Sequence, residues 1–334
     1  MLDTLAVPIA QAPMAGGPST PELAAAVANA GGLGVVAAGY KTADGLAHDL
    51  AATRGLTDGP IAVNVFAPSG APADPAVVAA YAARLEPEAE RAGVGLGTPR
   101  FDDDDYAAKL ALLAREPVAA VSFTFGCPAP EAVAALQAAG SAVWVTVTDP
   151  DEAREAAAAG ADALVVQGAE AGGHRGAFVD RDDRVDYGLL SLLALVRDAV
   201  DLPLVATGGI ATAAGVAAVL AAGARAAQVG TGFMLCPEAG TSAAHRAAIE
   251  DPNNVTGLTR AFSGRLARGI VNRLQREQTA AAPIAYPEIH HITAPLRAHA
   301  RTSGDADLIN LWAGEAHALA RALPAAEVVA RLTP

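Results

Sequence analysis

Short apolar runs rich in β-branched residues alternate along the chain with Ala-rich stretches of helical period, the pattern of repeated βα units around a parallel sheet. Eight such runs fall at 9–14, 33–39, 61–66, 119–125, 142–147, 163–168, 204–208 and 226–230. Several are apolar on both faces, as a parallel strand must be when each side is covered. The punctuation agrees. Gly31, Gly140, Gly160 and Gly223 each close an Ala-rich segment shortly before the next strand, where a left-handed residue ends a helix. Thr20-Pro21 and Asp149-Pro150 read as an N-cap followed by a first-turn proline, the second pair with Glu152 as a capping-box-like acid. Eight units satisfy the count for an α/β fold of the (β/α)8 barrel type; an open doubly wound sheet shares most of the local signals, and the barrel is the preferred reading.

Two segments break the alternation. Residues 72–115 read as extra helices between the third and fourth strands, and residues 252–295 have no clear period. The expectation is a single domain over 1–334, with 72–115 and 252–295 inserted as a lid or small second subdomain. The stretch 303–332 returns to a helical pattern and is expected to pack back on the barrel.

Composition narrows the function. With 52% hydrophobic and 18% charged residues the chain is not a disordered one. Its net charge of −13 repels phosphate backbones, so no nucleic-acid partner is expected. No Lys or Arg precedes Lys41, so neither a secretory nor a transit signal is expected. The long uncharged stretch 202–224 is divided by Pro203, Gly208, Gly209, Gly215 and Gly223 into strand, turn and helix, not a membrane span. Cys127 and Cys236 make neither a metal spacing nor a disulfide framework. A cytoplasmic monomer or homodimer away from membranes is expected.

In a barrel the chemistry sits where the chain leaves each strand. The first strand ends in Gln11-Ala12-Pro13-Met14-Ala15-Gly16-Gly17, small residues that let backbone approach a flat ligand. Asn64 interrupts the apolar run Val63-Asn64-Val65-Phe66, and a buried amide needs partners, whether protein or ligand. The sixth strand runs into Gln167-Gly168-Ala169-Glu170-Ala171-Gly172-Gly173-His174-Arg175-Gly176, where glycine N–H groups suit an anion and His174 suits acid–base work. The last two strands end in Thr207-Gly208-Gly209 and Gln228-Val229-Gly230-Thr231, where barrels commonly hold a phosphate.

Other patterns carry less. The glycines of 93–97 do not open a helix after a strand, and Gly34 to Thr42 has Tyr40 where a P-loop needs lysine. Asp102 to Asp105 read as acids complementing the dipole of the following helix in water. His290 and His291 are adjacent rather than at helical spacing, so no metal is expected, and no nucleophile elbow is present.

Over most of its length the chain resembles the FMN-dependent nitronate monooxygenases, formerly called 2-nitropropane dioxygenases. The resemblance rests on the loops just quoted, on Ala261-Phe262-Ser263-Gly264-Arg265 and on Leu311-Trp312-Ala313-Gly314, in that order and spacing. It implies a TIM barrel with FMN at its C-terminal mouth. Asn64, Gln167, Gly172, Gly173, Gly208, Gly209, Gln228, Val229, Gly230 and Thr231 would hold the cofactor, and Ala12, Pro13 and Met14 would lie along its ring system. His174 would be the active-site histidine, as base for a nitroalkane or as positive partner of the nitronate. The implied reaction is oxidation of an alkyl nitronate, with O2 reoxidising the flavin, to a carbonyl compound and nitrite. Relatives of the same fold instead use NAD(P)H to reduce quinones or enoyl thioesters, and a flavin-binding protein without turnover is a further alternative. Cys127 stands where relatives have an apolar residue.

Overall fold

The computed structural model describes residues 2–68 and 70–334. Its strands are β1 (Ile9–Gln11), β2 (Gly34–Ala37), β3 (Ile61–Phe66), β4 (Ala120–Thr124), β5 (Ala142–Val147), β6 (Ala163–Gln167), β7 (Gly173–His174), β8 (Leu204–Thr207), β9 (Ala226–Val229), β10 (Thr256–Thr259) and β11 (Ala267–Ile270). Eight of them pair in parallel in the order β1-β9-β8-β6-β5-β4-β3-β2. The ends of that sheet meet: Gln11 N donates to Leu33 O at 3.0 Å and Leu33 N to Ile9 O at 2.9 Å. The sheet is therefore a barrel, and its eight strands are the eight runs read from the sequence.

The barrel interior is filled by Ala10, Ala62, Ala120, Ala163 and Ala226 together with Leu33, Val35, Val165, Val205 and the larger Trp144. Around it run α1 (Pro21–Asn29), α2 (Ala43–Arg54), α3 (Pro75–Ala92), α4 (Tyr106–Arg115), α5 (Pro130–Ala138), α6 (Pro150–Ala158), α7 (Leu189–Ala199) and α8 (Ala213–Ala221). All but α3 lie against the outer faces of the strands. Each buried Leu or Val there contributes roughly 1.5–3 kcal/mol by leaving water. The helix signals act as their chemistry requires. Thr20 accepts from Leu23 N at 3.0 Å, Asp149 accepts from Asp151 N and Glu152 N, and Gly31, Gly140, Gly160 and Gly223 all have positive φ. Glu152 departs from the capping-box reading. Its carboxylate takes Thr148 N at 2.6 Å and Phe178 N at 2.7 Å, tying α6 to the loop that follows β7.

A second core stands apart from the barrel. Val78, Tyr81 and Leu85 of α3 pack with residues of α9 (Ala243–Glu250), α10 (Arg273–Gln278) and α11 (Glu288–Ser303), and with Phe262, Leu311 and Ala313. Long-range polar bonds hold it: Tyr81 OH donates to Ala261 O at 2.9 Å, and Glu88 receives both terminal nitrogens of Arg273 at 2.8 Å. β10, β11 and β7 form a small antiparallel sheet that links this unit to the glycine loop. By contrast α4, within the same insertion as α3, joins the barrel ring through Leu112 and Leu113.

Two local expectations are corrected. Of 303–332 only α12 (Ala325–Leu332) is a regular α-helix after α11 ends; it packs on the barrel core, whereas Leu308, Ile309 and Leu311 enter the second core. The acids at 102–105 do more than face water: Asp104 pairs with the buried Lys109 at 2.7 Å and accepts from Tyr40 N at 2.9 Å, and Asp105 accepts from Ala43 N.

Candidate active site

The C-terminal ends of the barrel strands and the underside of the second core enclose a cavity of about 370 Å³. Every site residue expected from the sequence lines it: Ala12, Pro13, Met14, Asn64, Gln167, Gly172, Gly173, His174, Gly208, Gly209, Gln228, Val229, Gly230 and Thr231. The turn after β1 is braced from behind. Buried Gln11 donates to Ser19 Oγ at 2.7 Å and Ser19 Oγ accepts from Met14 N at 2.9 Å, which fixes the small-residue wall at the mouth. Gly230 lies against this wall, since a Cβ added there would stand 3.4 Å from Ala12 Cβ and 3.7 Å from Met14 Sδ.

The amides differ in what they have to spare. Asn64 Nδ2 donates to Ser122 Oγ and to Thr124 Oγ1, both at 3.0 Å, which leaves Oδ1 as its acceptor toward the cavity. Gln167 faces the cavity but braces the loop: its Nε2 donates to His174 O at 3.1 Å and its Oε1 accepts from Gly176 N at 2.8 Å. Gly208 and Gly209 follow β8 with φ of +115° and +69°, a course that favours glycine. The N–H groups of Gly209 and Gly230 have no partner among the described residues, so both remain available to an anion. Gly172 and Gly173 serve different ends. A Cβ on Gly172 would strike Gly314 N at 2.4 Å, whereas one on Gly173, at φ +75°, would meet open space.

His174 is held by a partner distant in sequence. Its Nε2 lies 2.8 Å from Ser263 Oγ, and that hydroxyl in turn donates to Arg265 O at 3.2 Å. With the Ser263 hydroxyl directed to Arg265 O, the arrangement suits a proton on Nε2 and a lone pair on Nδ1. Burial pushes the His174 pKa down to about 3, and the charges of Arg265 and Arg297 add to the shift. At neutral pH the imidazole is uncharged.

Several lining residues carry no local sequence signal. Tyr40, Phe66, Phe125, Phe262 and Trp312 line the cavity, five of only fourteen aromatic residues in the chain. Phe125 and Trp312 meet the His174 ring edge-on at 5.7 and 5.4 Å, and Arg265 lies over Phe125 at 4.2 Å. Tyr40 and Phe125 hold φ of +65° and +79°, left-handed conformations unusual for bulky side chains and here gathered at one site. His290 stacks on Tyr40 at 4.0 Å, and α11 also contributes Arg297 and Arg301. Aromatic scarcity was the available clue to the wall; the α11 residues had none. Among the described residues no group of His, Cys, Asp and Glu could hold a metal ion, and no helix is long and apolar enough to cross a membrane.

A closed barrel with a braced imidazole and free backbone N–H groups at one mouth is the framework of a barrel enzyme. Comparison with known proteins narrows it. The nitronate monooxygenase family model matches residues 1–334. A nitronate monooxygenase of Pseudomonas aeruginosa is 44% identical, with 97% of this chain and 95% of that protein covered. One from Paraburkholderia phytofirmans is 43% identical, with 97% and 91% covered. Among solved structures, the nitroalkane oxidase of Streptomyces ansochromogenes superposes with a TM-score of 0.95 at 52% identity, covering 99% of this chain and 96% of that one. FabK from Thermotoga maritima reaches 0.76 at 26% identity, covering 99% and 93%. The chain belongs to the nitronate monooxygenase family, a family of flavin-dependent oxidoreductases.

Proposed function

We propose that this chain oxidises alkyl nitronates with FMN and O2, giving a carbonyl compound and nitrite. The observation that carries the reading is an uncharged His174, fixed by Ser263, in the same cavity as a glycine cradle with unpaired N–H groups. The lining suits FMN. Gly208, Gly209, Gly230 and Thr231 would take the phosphate, Asn64 Oδ1 would accept a ring N–H, and Ala12 to Met14 would lie along the ring. Gln167 would act mainly by fixing the loop that carries His174. Flavin, when bound, would supply the electron acceptor for the nitronate, with O2 as the final oxidant. His174 orients the substrate, and for a neutral nitroalkane it takes the α-proton at its free ring nitrogen. The second core is proposed to serve as a roof that keeps water from the reacting atoms. Reduction of enoyl thioesters is not favoured, because the FabK likeness is far weaker than that to the nitronate monooxygenases.

The test is the visible spectrum of the purified protein, taken without oxygen before and after an alkyl nitronate is added. Flavin absorbance is expected to bleach within turnover time, with nitrite released once air is admitted. With a neutral nitroalkane in place of the nitronate, His174→Asn is expected to keep its flavin and bleach about 100-fold more slowly. A yellow protein that only NAD(P)H bleaches would overturn the reading, and an unchanged rate in the variant would remove His174 from it.

A further inference from the structure

Among the described residues no Asp or Glu lines the cavity, although the chain carries thirty-six of them and a net charge of −13. What charge the lining holds is positive. His290, Ala294, Arg297 and Arg301 form one stripe of α11 facing the cavity, at the spacing that brings side chains onto a single helical face. Arg297 is only 6% exposed, yet it has no carboxylate partner among the described residues. Its Nε donates to Thr293 Oγ1 at 3.0 Å and Nη2 to His290 O at 2.8 Å, with His290 Nδ1 at 3.2 Å; Nη1 has no partner among the described residues. Arg301 donates to Asn310 Oδ1 at 3.3 Å and likewise meets no carboxylate. Two like charges on adjacent turns repel each other, and burial raises that cost. An arrangement of this kind is compensated when an anion joins it.

The position of the pair says which anion. Arg297 and His174 line the same cavity, and the Arg297 charge adds to the burial and the Arg265 charge that keep the imidazole neutral. A neutral imidazole cannot balance a nitronate, whose charge is shared by two oxygens in a plane. A guanidinium offers a planar fork that matches such a pair of oxygens. We propose that Arg297, supported by Arg301, is the cationic partner of the substrate's ionised nitro group, and so the residue that selects nitronates over neutral nitroalkanes. The substrate assignment rests on the nitronate reading; the anion subsite itself does not.

Nitrate, a planar oxyanion that the enzyme has no means of oxidising, separates the two. Its binding to the flavin-loaded protein is read from the flavin spectrum and from competition with the nitronate. Arg297→Gln is expected to retain flavin, weaken nitrate at least 10-fold and raise KM for the nitronate by a similar factor, with kcat within about 3-fold. KM for a neutral nitroalkane is expected to be unchanged, and Arg297→Lys to recover part of the nitrate affinity. Should Arg297→Gln fold poorly, Arg301→Gln, which removes the outer charge, is expected to weaken nitrate about 3-fold. Nitrate affinity and KM unchanged in flavin-loaded variants would overturn the proposal. Loss of flavin from Arg297→Gln would overturn it too, by assigning the guanidinium to the cofactor. If nitrate binding depends on Arg297 while nitronates are not oxidised, the subsite stands and the activity falls; oxidation with a KM indifferent to Arg297 gives the reverse.

Discussion

His174, His245 and His290 are all kept uncharged by burial at the cavity, His174 with a pKa of about 3 and His245 with one of about 4. In the unfolded chain each takes a proton near the ordinary 6.5. On acidification the unfolded state therefore binds protons first. Each histidine's contribution to stability is complete above pH 6.5 and is lost as pH falls toward the folded value, by up to about 1.4 kcal/mol per pH unit. His245→Gln removes one titrating ring while keeping a side-chain N–H at the reach of Nε2 for Trp312 O, which His245 Nε2 meets at 3.0 Å. Urea unfolding at several pH values between 6.5 and 4 should show a shallower loss of stability in the variant. An equal slope would mean that His245 charges as readily folded as unfolded. At this scale the sequence was legible where chemistry is local. His174 declared itself by its glycine neighbours, whereas Ser263, 89 residues away, became its partner only through the fold.

The elements of the barrel were legible because burial on both faces of a parallel strand and the glycines that end several of the helices, Gly31, Gly140, Gly160 and Gly223, are local signals. The second core was not, since its strands and helices meet across long separations, as Tyr81 meets Ala261 across 180 residues. The loop between β6 and α7 shows both cases in adjacent residues. Gly172 is required by the close passage of Ala313 and Gly314, a contact no local pattern could reveal, while Gly173 is required by its own φ of +75°. Alanine therefore does different things at the two positions. Gly172→Ala must displace the backbone of 313–314 and with it Trp312, so a fall in flavin retention and a loss of about 1–3 kcal/mol are expected. Gly173→Ala has room and costs only the strain of a left-handed alanine, about 1–2 kcal/mol, with flavin retained. Thermal melts paired with flavin-to-protein ratios check both, and equal flavin loss in the two variants would contradict the packing role of Gly172.

Across the whole molecule the surface and the cavity carry opposite fields. The net charge of −13 repels an anionic substrate at long range, while the acid-free lining with Arg297 and Arg301 attracts it once inside. Salt acts unequally on the two. Exposed charges separated by more than a Debye length, about 30 Å at 0.01 M and about 8 Å at 0.15 M, are largely screened, whereas buried charges are screened much less. For the proposed nitronate, added salt should remove the barrier to approach and leave the attraction in the cavity largely intact. kcat/KM is then expected to rise roughly two- to three-fold between 10 and 150 mM salt, with KM carrying the change. A neutral nitroalkane measured alongside should show no such rise, which separates field from salt effects on the protein. A steep fall for the nitronate would mean that the arginines' field extends beyond the mouth and outweighs the surface, so that the charge distribution steers the substrate in rather than merely holding it there.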